Sequence, residues 1–522
     1  MFGTSISTGR MALKTANGAS RRHSLRRRQG QRGAAAITMA AGFAIGLTGP
    51  ATAQSIDADS VSKPDTAAPR TSLPKPRPSA PAPSRWAEDW TVMRDPERRD
   101  GPIDRLKYIP LNADGDVYLS LSGEFRLRLN QANNPNLQSS DTQRQEIMRI
   151  FGGADLHLGK HVRAYTEVAH AGLYGSNPGP RQPVLDNSLF LQQAFVDFTG
   201  TVAPGGSGVD LGLRLGRQEF TEGPQPLVAL RDNNTVRFTL NGVRAWAGTD
   251  TKRVTVFDLY HTRLGNGGLS DDRINRNVRF SGISSNFGLS TDLFGGSRLY
   301  LDPFAWRLRN RATAWGETTA REEREFYGAR LWGNIGRFGV DLAVDHQTGR
   351  FDGRPINAWQ VFSQHSLALG KAPDAPRIGI RADYASGGGS FGEGALHNAT
   401  TPHGDHIRFS HTLNASSTNF VAFAPNVSFR PFGKARMTLE YQFAWRDSIH
   451  DGVYRANGTM IAGTQSVPGR RIGKMLRAEI VWPLARYVTF TGRYEHLDAG
   501  PALTQAGYRD TDFVAGILSF RF

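Results

Sequence analysis

The chain is 522 residues long, carries 63 Lys and Arg against 47 Asp and Glu for a formal charge of +16, and contains no cysteine. The missing thiols exclude disulfide scaffolds, thiolate catalysis and cysteine-ligated metal centres. The charge suggests a nucleic-acid binder at first sight, but 58 glycines and 10% aromatic residues describe sheets and turns, and the basic excess is unevenly placed.

Residues 1–53 hold eight cations (Arg10, Lys14, Arg21, Arg22, Arg26, Arg27, Arg28 and Arg32) and no acid. They lead into the small-residue apolar run Gly33–Leu47 and then Ala51-Thr52-Ala53. A basic region, a short apolar region and an Ala-x-Ala site predict a cleaved bacterial secretory signal, in a run too short and too rich in Ala and Gly for a membrane anchor. Ser20–Arg26 also resembles a twin-arginine export signal, with serine where phenylalanine is usual. Without this segment 55 cations face 47 acids, leaving +8 and removing the case for nucleic acid. Residues 54–85 carry seven prolines among Ala, Ser and Lys, a composition that predicts a disordered, extended periplasmic linker.

From Val117 the chain alternates at period two. Val117, Leu119, Leu121, Phe125, Leu127 and Leu129 share one parity; Tyr118, Ser120, Ser122, Glu124, Arg126 and Arg128 share the other. This is a strand with one apolar and one polar face. The pattern returns at 148–158, 209–215, 327–333, 338–345, 436–446, 476–482 and 487–495, with weaker versions between. Long polar connections are expected at 131–146, 170–187, 217–234, 261–276, 307–323, 387–418, 447–471 and 498–511. Short ones are expected at 159–161, 248–251, 334–336, 430–435 and 483–486. Steady alternation of long and short connections predicts an all-β fold, a transmembrane antiparallel β-barrel of about 18 strands with short periplasmic turns and long extracellular loops. Val514, Gly516, Leu518, Phe520 and Phe522 alternate through the last strand, which looks like the signal read by the barrel-insertion machinery.

Several segments carry a family resemblance: R-W-A-E-D-W at 85–90, D-R-L-K-Y-I-P-L at 104–111 and Y-L-S-L-S-G-E-F-R-L-R at 118–128. With them stand L-R-L-G-R-Q-E-F at 213–220, N-G-V-R-A at 241–245, F-A-W-R-D-S-I-H-D-G-V-Y at 443–454 and the closing F-V-A-G-I-L-S-F-R-F. Together they make residues 86–522, with 86–116 as a lead-in, resemble the alginate export family of outer-membrane barrels. The resemblance implies an eighteen-stranded monomer in outer-membrane lipid, with an arginine-lined pore that passes an anionic polysaccharide such as alginate. The His- and Asn-rich segment 396–416 departs from the family's usual proline- and phenylalanine-bearing loop.

Parity alone points Arg126, Arg128, Arg149, Arg163, Arg214, Arg330, Arg381, Arg446, Arg477 and Arg493 into the lumen, together with acids that include Glu124 and Glu440. Arginine offers a permanent charge and a planar fork suited to carboxylates, so rings of it select anions. Near-equal numbers of inward acids predict that most of these arginines are paired wall residues; Arg126, Arg128 and Arg446 read as the free subset. The cargo is then an anionic polysaccharide or, alternatively, a small anionic solute in an uptake porin; a loop-plugged barrel enzyme or adhesin is the reading from another class. His403, Asp405, His406 and His411 have metal-ligand chemistry but sit in the longest expected loop, where such clusters are ordinarily solvated. Gly387-Gly388-Gly389 lacks the lysine of a phosphate loop, and no Ser-His-Asp pattern stands out, so neither metal, cofactor nor catalytic group is expected. Trp86 and Trp90 read either as an interface anchor or as an inward-folded plug.

Overall fold

The computed structural model describes residues 82–178, 181–203, 208–290, 294 and 297–522. The expected signal segment and residues 54–81 of the expected linker lie outside the described residues. A short strand β1 (Ile109–Pro110) precedes eighteen longer ones. These are β2 (Val117–Ala132), β3 (Gln143–Leu158), β4 (Val162–Ser176), β5 (Asn187–Val202), β6 (Val209–Gln218), β7 (Leu240–Gly248), β8 (Lys252–Arg263), β9 (Arg273–Gly288) and β10 (Arg298–Trp315). They continue with β11 (Thr318–Ile335), β12 (Phe338–Phe351), β13 (Arg354–Ala368), β14 (Arg377–Ala385), β15 (Phe420–Phe429), β16 (Arg436–Trp445), β17 (Arg471–Ala485), β18 (Val488–Ala499) and β19 (Thr511–Arg521). Each pairs antiparallel with its sequence neighbour, and β19 pairs with β2, so the sheet closes on itself. Closure satisfies every strand within the sheet, which is what lipid demands of a membrane-spanning backbone.

The alternation sets the two faces. On β2, Phe125, Leu127 and Leu129 are exposed outward while Glu124, Arg126 and Arg128 are buried inward. Ile150, Phe198, Leu211, Val243, Ile283, Ile380, Leu476 and Leu518 continue the outward apolar band around the barrel. Such a band is a liability in water and a requirement in a bilayer. At the seam, Gly123 and Phe522 exchange two backbone hydrogen bonds of 3.0 Å. The Phe522 ring lies where a Cβ on residue 123 would sit, so a larger residue there would have to push the ring aside.

Two connections correct the sequence expectation. Residues 307–323 are no loop: β10 and β11 continue to a tight turn at Gly316-Glu317, and Arg307 and Arg309 lie opposite Glu325 and Glu323 in register. Leu308 and Trp315 pack inward, but Arg307, Arg309, Glu323 and Glu325 make the outward face polar, so alternation fades although the ladder, held by cross-strand charge pairs, continues. β12 and β13 also meet in a tight turn at Asp352-Gly353, where both residues take positive φ.

The other correction concerns where the long loops go. The connections 219–239, 386–419 and 446–470 fold into the barrel instead of standing in solvent. Their Leu227, Val228, Leu396, Phe409, Val453 and Ile461 pack in one apolar core with the inward-facing Phe257, Phe280, Phe304, Trp306, Phe326 and Phe362. His403 bridges to Val228, accepting from Ala229 N–H (3.1 Å) and donating to the Leu227 carbonyl (3.2 Å). A Cβ on Gly404 would overlap the Pro226 carbonyl, so a glycine lets the two loops meet. Buried loop backbone needs partners, and inward polar side chains provide them. Glu495 accepts from the Ser410 hydroxyl (2.7 Å), the Thr412 hydroxyl (2.9 Å) and the His411 N–H. The His-containing segment is therefore buried, and among the described residues no group of three His, Asp or Glu can hold a metal ion.

Candidate functional site: the arginine wall of the lumen

The inward positions of neighbouring strands build a cationic wall. β2 supplies Glu124, Arg126 and Arg128; β3 places Arg149 directly opposite Arg126; β19 places Arg521 opposite Glu124. Two arginines face to face repel unless acids intervene. Glu124 answers part of this charge, accepting from Arg149 and pairing with Arg521 at 3.2 Å.

The rest comes from the tip of the β6–β7 loop. The Asp232 carboxylate pairs with Arg149 (2.8 Å), Arg237 (2.7 Å), Arg126 (3.2 Å) and Arg521 (3.2 Å). Arg126 also donates to the Asp232 and Asn234 carbonyls at 2.8 and 3.0 Å. Arg128 donates to the Asn233 carbonyl and side chain, both at 2.9 Å, and Arg493 reaches the same side chain at 2.8 Å. Burial alone would raise the Asp232 carboxyl, but the charges of Arg149, Arg237, Arg126 and Arg521 outweigh it and hold the group well below the usual carboxylate range. Arg126, Arg128 and Arg149 are buried beneath the loop, whereas the Asp232 side chain keeps 40% of its surface accessible.

A second cluster stands on β14, β16, β17 and β18. Arg381 grips Glu440 at 3.1 and 2.9 Å and also reaches Asp383; Arg477 holds Glu440 at 2.9 Å and Glu495 at 3.5 Å. Arg408, carried on the β14–β15 loop, closes on Asp383 at 2.8 Å. The remaining expected arginines form local cross-strand forks: Arg163 with Asp155 (2.6 Å), Arg214 with Asp197 (2.7 Å), Arg330 with Asp341 (2.7 Å) and Arg493 with Glu479 (2.6 Å). These paired forks brace the wall.

The free subset expected from sequence needs correcting. Arg126 is paired, through a loop acid that no strand pattern reveals. Arg446 is fully buried and donates to the carbonyls of Asp451 (2.8 Å), Thr464 (2.6 Å), Val467 (2.8 Å) and Gly469, so it clamps the β16–β17 loop. Arg128 hydrogen-bonds, among the described residues, to Asn130 and Asn233. Sequence reasoning missed Arg521, although its parity with Phe513, Ala515 and Ile517 points inward. It also missed Asp232, which, like Arg237, lies in a loop and carries no periodic signal. The histidines add no charge to the lumen: burial, then Arg231, lowers His406 to about 3, and burial likewise keeps His403 and His411 neutral.

The lead-in folds into the same barrel. Arg237 donates to the Pro83 carbonyl at 2.7 Å, and the Ser84 hydroxyl donates to Glu219. Trp86 is buried under Arg214, 3.8 Å from its ring centre, edge-on to Phe195, and gives its carbonyl to Arg163. Trp90 packs with Met93, Tyr108 and Tyr118 beneath β2. Ser84 and Arg85, placed by composition at the end of the linker, are buried here: Ser84 bonds to Glu219, and Arg85 folds back on the Ala82 carbonyl and Glu88.

A closed antiparallel barrel of eighteen strands with an apolar outer band and a charged lumen defines an outer-membrane protein of the porin type. Solved structures share that fold. Among them are a BenF-like porin from Pseudomonas fluorescens Pf-5 (9% identity, TM-score 0.51, covering 77% of this chain and 98% of that one) and OccAB1 of Acinetobacter baumannii (10% identity, TM-score 0.51, 80% and 99%). No curated protein matches the chain by sequence. The family model for alginate export matches residues 117–516, and the chain belongs to that family.

Proposed function

We propose that the protein is a monomeric outer-membrane channel that passes an anionic polysaccharide such as alginate along the arginine wall. One observation carries the reading: Arg126, Arg128, Arg149 and Arg521 crowd adjacent inward positions with a single wall acid, Glu124, among them. That leaves a net charge of +3 on a patch shaped by guanidinium forks, the geometry that recognises carboxylates. A polyuronate presents a carboxylate on every sugar and can move from fork to fork without a single tight site. Residues 1–53 act as the cleaved export signal in this reading, and the last strand engages the insertion machinery.

The test is single-channel recording in planar bilayers. An anion-selective current that polymannuronate blocks is expected. A sealed barrel or a cation-selective current would overturn the proposal, and an anion current untouched by millimolar polymannuronate would reassign the channel to small anions.

A further inference from the structure

We infer that Arg126, Arg149 and Arg521 form a carboxylate-binding site occupied by the protein's own Asp232, an internal mimic that a uronate carboxylate displaces. The inference rests on the anionic-channel reading and specifies what the cargo competes with. Three wall arginines converge on one carboxylate from three adjacent strands, and Arg237 of the loop itself completes the grip. The tip fits the wall as a short ligand would, since Asp232, Asn233 and Asn234 each present a carbonyl to it. Arg231 takes a left-handed φ of +54°, which turns the chain so that successive polar groups face the same way.

Charge explains why the occupant is an acid. Stripped of the loop, the wall carries Arg126, Arg128, Arg149 and Arg521 against Glu124, and such an uncompensated patch in a narrow lumen is costly. An acid must sit there, either from the chain or from the cargo. Accessibility explains how one replaces the other. The Arg126 and Arg149 side chains are nearly sealed and Arg521 keeps 24% of its surface accessible, but Asp232 is open over 40%, so an incoming carboxylate meets the mimic first. The loop is held elsewhere by independent contacts: Leu227 and Val228 in the apolar core and the Ser84–Glu219 hydrogen bond. Release of the tip therefore does not require release of the loop.

The experiment compares wild type with Asp232→Asn and Asp232→Cys in planar bilayers, reading anion selectivity and the polymannuronate concentration that halves the current. Asp232→Asn is expected to raise anion selectivity and to lower the half-blocking concentration about tenfold. Because the chain has no other cysteine, Asp232→Cys can be charged at will. A sulfonate-bearing methanethiosulfonate is expected to restore wild-type block, and a trimethylammonium-bearing one to leave block tight. Failure of the anionic reagent to weaken block overturns the mimic even if Asp232→Asn does not insert. If both variants match wild type in a channel that remains anion-selective and blockable, the mimic is wrong and the channel reading stands. If wild type and variants alike ignore polymannuronate, both readings fall.

Discussion

The lumen has two unlike sides. Between β8 and β13, the inward faces of Phe257, Phe280, Phe304, Trp306, Phe326 and Phe362 hold the folded loops by apolar burial. From β18 through β19 to β3, the same inward positions carry arginines, and a loop tip is held by charge. Burial is non-directional and has no competitor in the cargo, so the apolar side fixes the loops. A charged hydrogen bond to a carboxylate can be exchanged for another carboxylate at little net cost, so the proposed path runs along the arginine side.

The difference can be broken most strongly on the apolar side. Phe280→Ala removes a fully buried ring against which His403 and Trp306 pack, and is expected to cost about 3–5 kcal/mol. Urea unfolding followed by heat-modifiable gel migration reads it; a loss under ~1 kcal/mol would show that the loops are not anchored there. Arg446→Met is expected next in size, at roughly 1–3 kcal/mol in all, because buried carbonyls of the loop lose their donor. Proteolysis within 447–470 should accelerate by at least about tenfold, and unchanged cleavage would remove its role as a clamp.

On the arginine side, Arg126→Ala with Arg128→Ala should leave the barrel inserted but weaken polymannuronate block by about ten- to a hundredfold. Equal block in wild type and variant would place the selective contact elsewhere. Arg330→Gln with Asp341→Asn removes one fork whose acid is 38% accessible; a change below about 1 kcal/mol in stability and none in selectivity is expected. A shift in reversal potential would make that fork part of the path.

The smallest effect concerns pH. A carboxylate held below its ordinary range contributes its grip at all pH values above that range and loses it only as pH falls through the depressed value. The selectivity difference between wild type and Asp232→Asn is therefore expected to stay flat from about pH 8 to about pH 4.5. A step near pH 6 would mean that another group controls the tip.

Strand faces were readable wherever one face met lipid. Phe125, Leu127 and Leu129 alternate with Glu124, Arg126 and Arg128 because each neighbour meets a different solvent. The β10–β11 hairpin escaped the same reading because no lipid-facing apolar residues mark its upper half. The inward course of 386–419 escaped it for another reason. Its polar residues look solvated, yet their partners are remote: Asn398 donates to Asp451, and His411 to Glu495. Arg446 shows the limit of parity, which gives the side a residue points to but not what it finds there.

Gly404 bears on how the inward loops can change. Because the Pro226 carbonyl leaves no room for a methyl group there, the inward segments 219–239 and 386–419 share one surface at that point. Recoding either segment therefore has to be matched in the other, and the two can be engineered only as one piece.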